Sequence, residues 1–295
     1  MEWLDKLLQE TEASSREYPS AESYQGFQMI LTQVFRFAAI VCFAAVAGFV
    51  VVIRFAAVAG FVVFAAGQVG ANAQSIDEAR AAFEEGRFLE AADLAEALGT
   101  SGGYALGAQS LAVYGHHVAT EDDRTGFLER AMRLGEEAVR ADSTNYEAYY
   151  QSAHAVGRYA QNVGIMTALR RGLAGRVRGL LEATLAISPD FADAHMAFGG
   201  WHADIARAGR IARFLYKGKR EEAVIHYERA LELAPDSKVV LLEYALRLPD
   251  LDREDGRERA RALLSKAAEL PVRDAFEKFI QQDVLEALAE LEDGG

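Results

Sequence analysis

GKREEAVIHYERALELAP, residues 218–235, is a helix that states how its neighbour must pack. Ala223 and Ala230 stand seven residues apart, so they share one face. Their small size lets a second helix approach closely there, and Tyr227 lies between them to fill the gap. Pro235 cannot continue the helix and stops it. The unit defined by this stretch is therefore a pair of antiparallel helices.

The unit recurs. EEAVRADST (136–144), EATLAISPD (182–190) and ERALELAPD (228–236) align at a constant spacing of 46 residues. Glu136, Glu182 and Glu228 coincide, followed by the large apolar residues Val139, Leu185 and Leu231. Ser143, Pro189 and Pro235 end a helix in each copy, and Thr144, Asp190 and Asp236 are expected to cap the next. FEEGRFLEAADLAEAL carries the same small positions at Gly86, Ala91 and Ala95, beside Phe88. RARALLSKAAELP repeats them at Ala260, Leu264, Ala267 and Pro271.

Gly218, Ala223, Tyr227, Ala230 and Pro235 resemble the second half of a tetratricopeptide (TPR) motif, and the likeness extends over most of 75–293. A standard TPR repeats every 34 residues. The extra residues here fall at 161–171 and 206–217. This long-repeat pattern resembles the TPR-like domain of the regulator-of-microtubule-dynamics family, through NYEAYYQSAHAVGRYAQ, SPDFADAHMAFGGWHADIAR, YERALELAP and ALLSKAAELP. It is also similar to the periplasmic TPR components associated with TRAP transporters. Both resemblances imply a helical adaptor and an all-α fold. The expected architecture is a TPR-like superhelix of antiparallel helix pairs (an α-solenoid), with a concave binding face and unbroken helices over 169–187 and 192–216. The final helix carries Phe276, Phe279, Ile280, Val284, Leu288 and Leu291 on one stripe and is expected to cap the stack.

Ahead of the repeats lies a different kind of sequence. Residues 37–67 form an apolar run interrupted only by Arg54, long enough to cross a bilayer. It contains FAAVAGFVV twice, at 43–51 and 55–63. It ends in QVGANAQS, where Ala71 and Ala73 fit a signal-peptidase site, so cleavage is expected after Ala73. The competing reading is an uncleaved inner-membrane anchor facing the periplasm, with membrane contact through 37–67. Arg54 would cost about 2.5–3.5 kcal/mol there, which so long a run tolerates. Residues 1–28 are acidic where an export signal should be basic, which makes Met29 a second candidate start. Three regions result: the extension 1–28, an export signal or anchor at 29–73, and the TPR-like domain at 74–295. A bacterial export signal makes a microtubule role inapplicable, so only the fold carries over from that resemblance.

The net charge of −13 argues against nucleic acid as a partner. The one cysteine, Cys42, lies in the apolar run, which removes thiolate chemistry from the repeat domain. The six histidines complete no metal signature, and no nucleophile elbow or phosphate loop is present, so neither catalysis nor a cofactor is expected. Gly172, Gly175 and Gly179 are expected to allow close helix approach, and Trp201 to fill the core.

Binding residues are sought in two places. Tyr146, Tyr150, His154 and Arg158 follow a four-residue interval along one helix, a stripe suited to the concave face or to packing between repeats. Residues 158–220 hold 11 Lys/Arg against four acids. Within them Ile205, Ala208, Ile211, Ala212 and Leu215 form an apolar arc, while Arg207, Arg210, Arg213, Phe214 and Lys217 occupy the opposite one. That basic arc suits an acidic protein, anionic lipid or an anionic small molecule, or is simply a solvated face. Two functions follow: a scaffold recruiting an envelope or periplasmic protein, or an accessory solute-binding component of a transporter holding an anionic small molecule in the concave face.

Overall fold

The computed structural model describes residues 76–293; the acidic extension 1–28, the apolar run 37–67 and the expected cleavage after Ala73 lie outside the described residues. Among the described residues there is no strand. The helices are α1 (76–84), α2 (Phe88–Ala97), α3 (Ser101–His117), α4 (Glu121–Ala141), α5 (Tyr146–Val163), α6 (Ile165–Arg170), α7 (Leu173–Ile187), α8 (Ala192–Arg207), α9 (Arg210–Tyr216), α10 (Arg220–Leu233), α11 (Lys238–Leu251), α12 (Gly256–Glu269) and α13 (Ala275–Asp293). None of these helices is long and apolar enough to cross a membrane.

Capping residues set the connections. Thr100, Asn145 and Ser237 each accept a backbone N–H of the helix that follows, satisfying one of its orphan donors. The expected caps Thr144, Asp190 and Asp236 are therefore one residue early: the cap positions are Asn145, Phe191 and Ser237. In the first of these turns the Asp142 carboxylate accepts the Thr144 N–H at 2.8 Å before the helix begins.

Successive helices pack as antiparallel neighbours, with α3 against α4, α4 against α5, α5 against α7, α8 against α10 and α11 against α12. The innermost column of the aligned windows is small rather than large. Ala138, Thr184 and Ala230 are fully buried, whereas Val139, Leu185 and Leu231 one position later are half-buried. Small side chains at the crossing points allow the close approach, and the larger residues cover its flanks.

The 218–235 stretch packs as its spacing predicts. Ala223, Tyr227 and Ala230 are wholly buried, and Tyr227 stacks on Tyr244 with ring centroids 4.8 Å apart. Across the interface a Cβ on Gly199 would lie 2.8 Å from the Tyr227 ring, so only glycine fits there. The Tyr227 hydroxyl is buried and has no hydrogen-bond partner among the described residues, and burial holds its pKa well above the ordinary phenol value. Removing an unsatisfied buried hydroxyl relieves a desolvation cost of about 1–3 kcal/mol. Tyr227→Phe should accordingly stabilise the domain by about 1 kcal/mol, read as a higher urea-unfolding midpoint. A lower midpoint would show that the hydroxyl has a partner in solution.

Two expectations fail at the inserted segments. The helix over 192–216 breaks after Arg207, because Gly209 adopts φ +104°, a left-handed conformation open to glycine. That over 169–187 breaks at Gly172, with φ +64°. Gly172 and Gly179 touch no second helix, and only Gly175 approaches a neighbour, Tyr216, so this trio does not provide a close helix crossing.

The last helix does more than cap the stack. Its Ile280, Val284 and Ala287 are buried with Tyr244, Leu248 and Leu264 of α11 and α12. Its Phe279 joins the cluster at the opposite end of the chain, against Phe88 of α2, and Phe276 packs against both clusters, meeting Phe83 of α1. Gly86, in the α1–α2 turn, lies so close to Ala275 that an added Cβ would sit 3.0 Å from it. The last helix thus meets the first two, and the solenoid closes on itself. Lys238 at the start of α11 is almost wholly buried and donates to the Leu270 carbonyl (2.9 Å) and to Gln281 Oε1, tying α11, α12 and α13 together.

Candidate functional site

The helices surround an open-mouthed cavity of about 580 Å3, to which α13 contributes Phe276 and Ile280. Its wall draws on α3 (Val113), α5, α6 and α7 (Ala168, Val177, Leu181), α8 (Met196, Trp201, Ile205), α11 and α13 (Phe276, Ile280). Most of this lining is apolar, and the charged or titratable side chains are few: Tyr150, His154 and Arg158 of α5, Asp193, Asp204 and Arg207 of α8, and Glu243 and Arg247 of α11. A mostly apolar hollow with a small set of convergent polar groups is the usual form of a ligand site. Trp201 is buried as expected and donates its indole N–H to the Ala174 carbonyl at 2.9 Å.

Arg158 is the distinctive group. Its Nε donates to His154 Nε2 at 3.2 Å, one terminal nitrogen lies 3.3 Å from His116 Nε2, and the same nitrogen donates to Gln161 at 3.2 Å. No carboxylate lies within ion-pair distance among the described residues. Burial first, and the Arg158 charge second, push His154 and His116 down to about 3, so both rings are neutral at neutral pH. The guanidinium of the half-buried Arg158 has only neutral hydrogen-bond acceptors, and Asp283 is a carboxylate on which its charge acts from beyond ion-pair distance.

Opposite signs are arranged differently elsewhere in the cavity. Arg247 lies 3.5 Å from both Asp204 and Glu243 and is balanced by them. Asp193 has no side-chain hydrogen bond or ion pair among the described residues, and burial raises its carboxyl above the usual range. Burial likewise raises the Tyr150 hydroxyl well above the ordinary phenol value.

The structure separates the sequence-derived candidates into three groups. Tyr150, His154 and Arg158 line the cavity. Tyr146 does not: its ring packs edge-on to Phe191 at 5.0 Å, a partner it shares with Tyr150 at 5.1 Å. Arg207 borders the cavity, while Arg210, Arg213, Phe214 and Lys217 lie on the outer face of α9. Ile211, expected on the inward arc, is 62% exposed instead, because the break at Gly209 re-indexes the helix and turns Ala212, Leu215 and Tyr216 inward. Sequence reading missed Asp193, Glu243 and Arg247, which belong to separate helices and share no spacing with α5.

His195 and His226 bring their Nδ1 atoms to 2.9 Å, with His195 Nε2 beside the Pro189 carbonyl at 2.8 Å. Among the described residues no group of three or more His, Cys, Asp or Glu is placed to hold a metal ion.

Stacked helix pairs with small residues at their crossings, closed around an apolar cavity, define a TPR-like α-solenoid. The chain belongs to the regulator of microtubule dynamics protein 1-3 family, whose sequence profile matches residues 107–292. No curated protein matches it. Among solved structures it is similar to a thermophilic TPR protein from Thermus thermophilus, with 16% identity over 74% of this chain and 99% of that chain and a TM-score of 0.53. It is also similar to YrrB, a TPR protein with an unusual peptide-binding site, with 15% identity over 74% of this chain and 90% of that chain and a TM-score of 0.38. The Thermus likeness shows the fold.

Proposed function

We propose that this chain is a non-catalytic binding protein of the bacterial envelope, and that its cavity holds a small molecule with an apolar body and an anionic head. The observation that carries this is Arg158, a cavity-lining cation whose partners are all neutral. An anionic oxygen there would form a charge-assisted hydrogen bond, worth about 1.5–3 kcal/mol, at the edge of an apolar volume. Asp193 would accept a donor on the same head group. The export signal expected from the sequence supports a periplasmic location, free or tethered through residues 37–67.

A screen of aliphatic carboxylates of increasing chain length tests the proposal by thermal shift, since a ligand of the folded state raises the midpoint. Each added methylene should tighten binding about fourfold until the cavity is full. Arg158→Gln should weaken it about 10- to 100-fold, read as a smaller ligand-induced shift relative to the variant's own unliganded midpoint. Equal binding by the variant would remove Arg158 from the site.

The second reading is a scaffold that recruits an envelope protein. It is favoured by the fold class, since stacked helix pairs present extended binding surfaces. Here α13 contributes Phe276 and Ile280 to the wall of the hollow, so a protein partner would share that border or dock on the outer faces of the helices. Affinity capture after mild cross-linking separates the two readings: one specific envelope partner favours the scaffold, and a clean bait that responds to carboxylates favours the cavity.

A further inference from the structure

From residue 205 to 220 the chain carries Arg207, Arg210, Arg213, Lys217, Lys219 and Arg220 and no acid. Arg207 approaches Asp204 at 3.8 Å and Lys219 approaches Glu222 at 3.6 Å. The side chains of Arg210, Arg213 and Lys217 make no ion pair among the described residues and are exposed. Between them Ile211 is 62% and Phe214 78% exposed, so large apolar groups and cations alternate on one outward face. This face is held in place rather than frayed. Ala212 is buried against the Trp201 and Ile205 cluster, and the Tyr216 carbonyl accepts from Arg178 at 3.3 Å.

We propose that the outer face of α9 docks on an anionic lipid bilayer. A protein surface would ask for acidic partners at fixed positions and an apolar recess for Phe214. A bilayer interface asks only for what is present: cations at headgroup level and short apolar side chains reaching the acyl boundary. Each basic residue near such a surface strengthens association about fivefold, so Arg210, Arg213 and Lys217 together contribute about 100-fold. The same chain carries the 37–67 run, which is long enough to span a bilayer. The end of α8 also borders the cavity, so a docked α9 would bring that border towards the lipid. The docking itself does not depend on what the cavity holds.

The test uses the full chain mixed with nanodiscs of phosphatidylcholine alone or of equal parts phosphatidylcholine and phosphatidylglycerol, with amide hydrogen exchange read over 205–220. Exchange at 210–217 should slow in the anionic discs and not in the neutral ones. Combining Arg210→Gln, Arg213→Gln and Lys217→Gln should weaken the association about 100-fold and remove the protection. Ile211→Ser with Phe214→Ser should reduce it while leaving the thermal midpoint unchanged, because both side chains are exposed. No slowing in anionic discs, or equal slowing in both discs, overturns the proposal. So does protection by an acidic protein with none from anionic lipid.

Discussion

Replacing Phe276 and Phe279 together by Ala should destabilise the domain by about 5 kcal/mol and abolish ligand binding in the cavity. Phe276 packs against Phe83 with ring centroids 6.4 Å apart and against His117 at 6.0 Å, and it also lines the cavity. Phe279 stacks on His117 at 4.8 Å and tilts against Phe88 at 6.2 Å. A fully buried Phe→Ala change costs about 3–5 kcal/mol; both rings are half-buried, so about 2–3 kcal/mol each is appropriate. A whole domain has only about 5–15 kcal/mol of stability, so the double variant loses a large share of it.

The location of the loss distinguishes closure from ordinary core packing. Phe279 joins the α1–α2 cluster and Phe276 bridges it to the α11–α12 cluster, whereas Leu288, on the same helix, packs only with the latter. In the double variant, amide exchange should therefore accelerate first in residues 76–97. Leu288→Ala should lower the urea midpoint without that local signature. If exchange over 76–97 is unchanged in the double variant, the two rings do not hold the solenoid closed.

The fold was legible because its determinant is local and repeated. Small residues at regular intervals need only be counted, and Ala223, Ala230, Ala260 and Ala267 are wholly buried as counting implies. The closure was not legible, for a geometric reason. A helical stripe assigns Phe276, Phe279, Ile280 and Val284 to one face, but the face divides between two partners almost the length of the domain apart in sequence. His117, which receives both phenylalanines, has no periodic relation to them. The α5 stripe was half legible: its interval placed Tyr150, His154 and Arg158 on one line, but only the ring of helices could show that Tyr146 falls outside the cavity. On α9 a single backbone angle at Gly209 reassigned Ile211 from inside to outside, and 100° arithmetic cannot foresee such a break.

Lowering the pH from 7 to 5 should destabilise the domain by about 2–4 kcal/mol through His154 and His202 alone, with His116 and His117, also held neutral by the fold, acting in the same sense. His154 is pushed down to about 3, by burial first and then by Arg158, with His116 and His117 adding smaller effects. His202 is pushed down to about 4 by burial and by His226, Arg178 and Lys219, with Glu222 opposing. In the unfolded chain both titrate near 6.5, so below that value the unfolded state binds more protons. Their contribution is thus complete above pH 6.5 and is lost as the pH falls towards the folded values. Each histidine contributes a slope of up to about 1.4 kcal/mol per pH unit in that window. Solvent screening reduces the share of His202, and water in the cavity would restore part of the hydration of His154, which sets the lower end of the range. Asp193 and Asp283 are raised by burial and act in the opposite sense, but from an ordinary value of 3.8, so their effect falls at the acid end of the range. Urea unfolding at pH 7, 6 and 5 reads the slope directly. His154→Gln should remove about one proton from it, and a carboxylate bound at Arg158 should flatten it further by offsetting the charge that disfavours the imidazolium. A stability profile that is flat between pH 7 and 5 would mean that these rings are already hydrated in the folded protein, and Arg158 would then face water rather than an apolar volume.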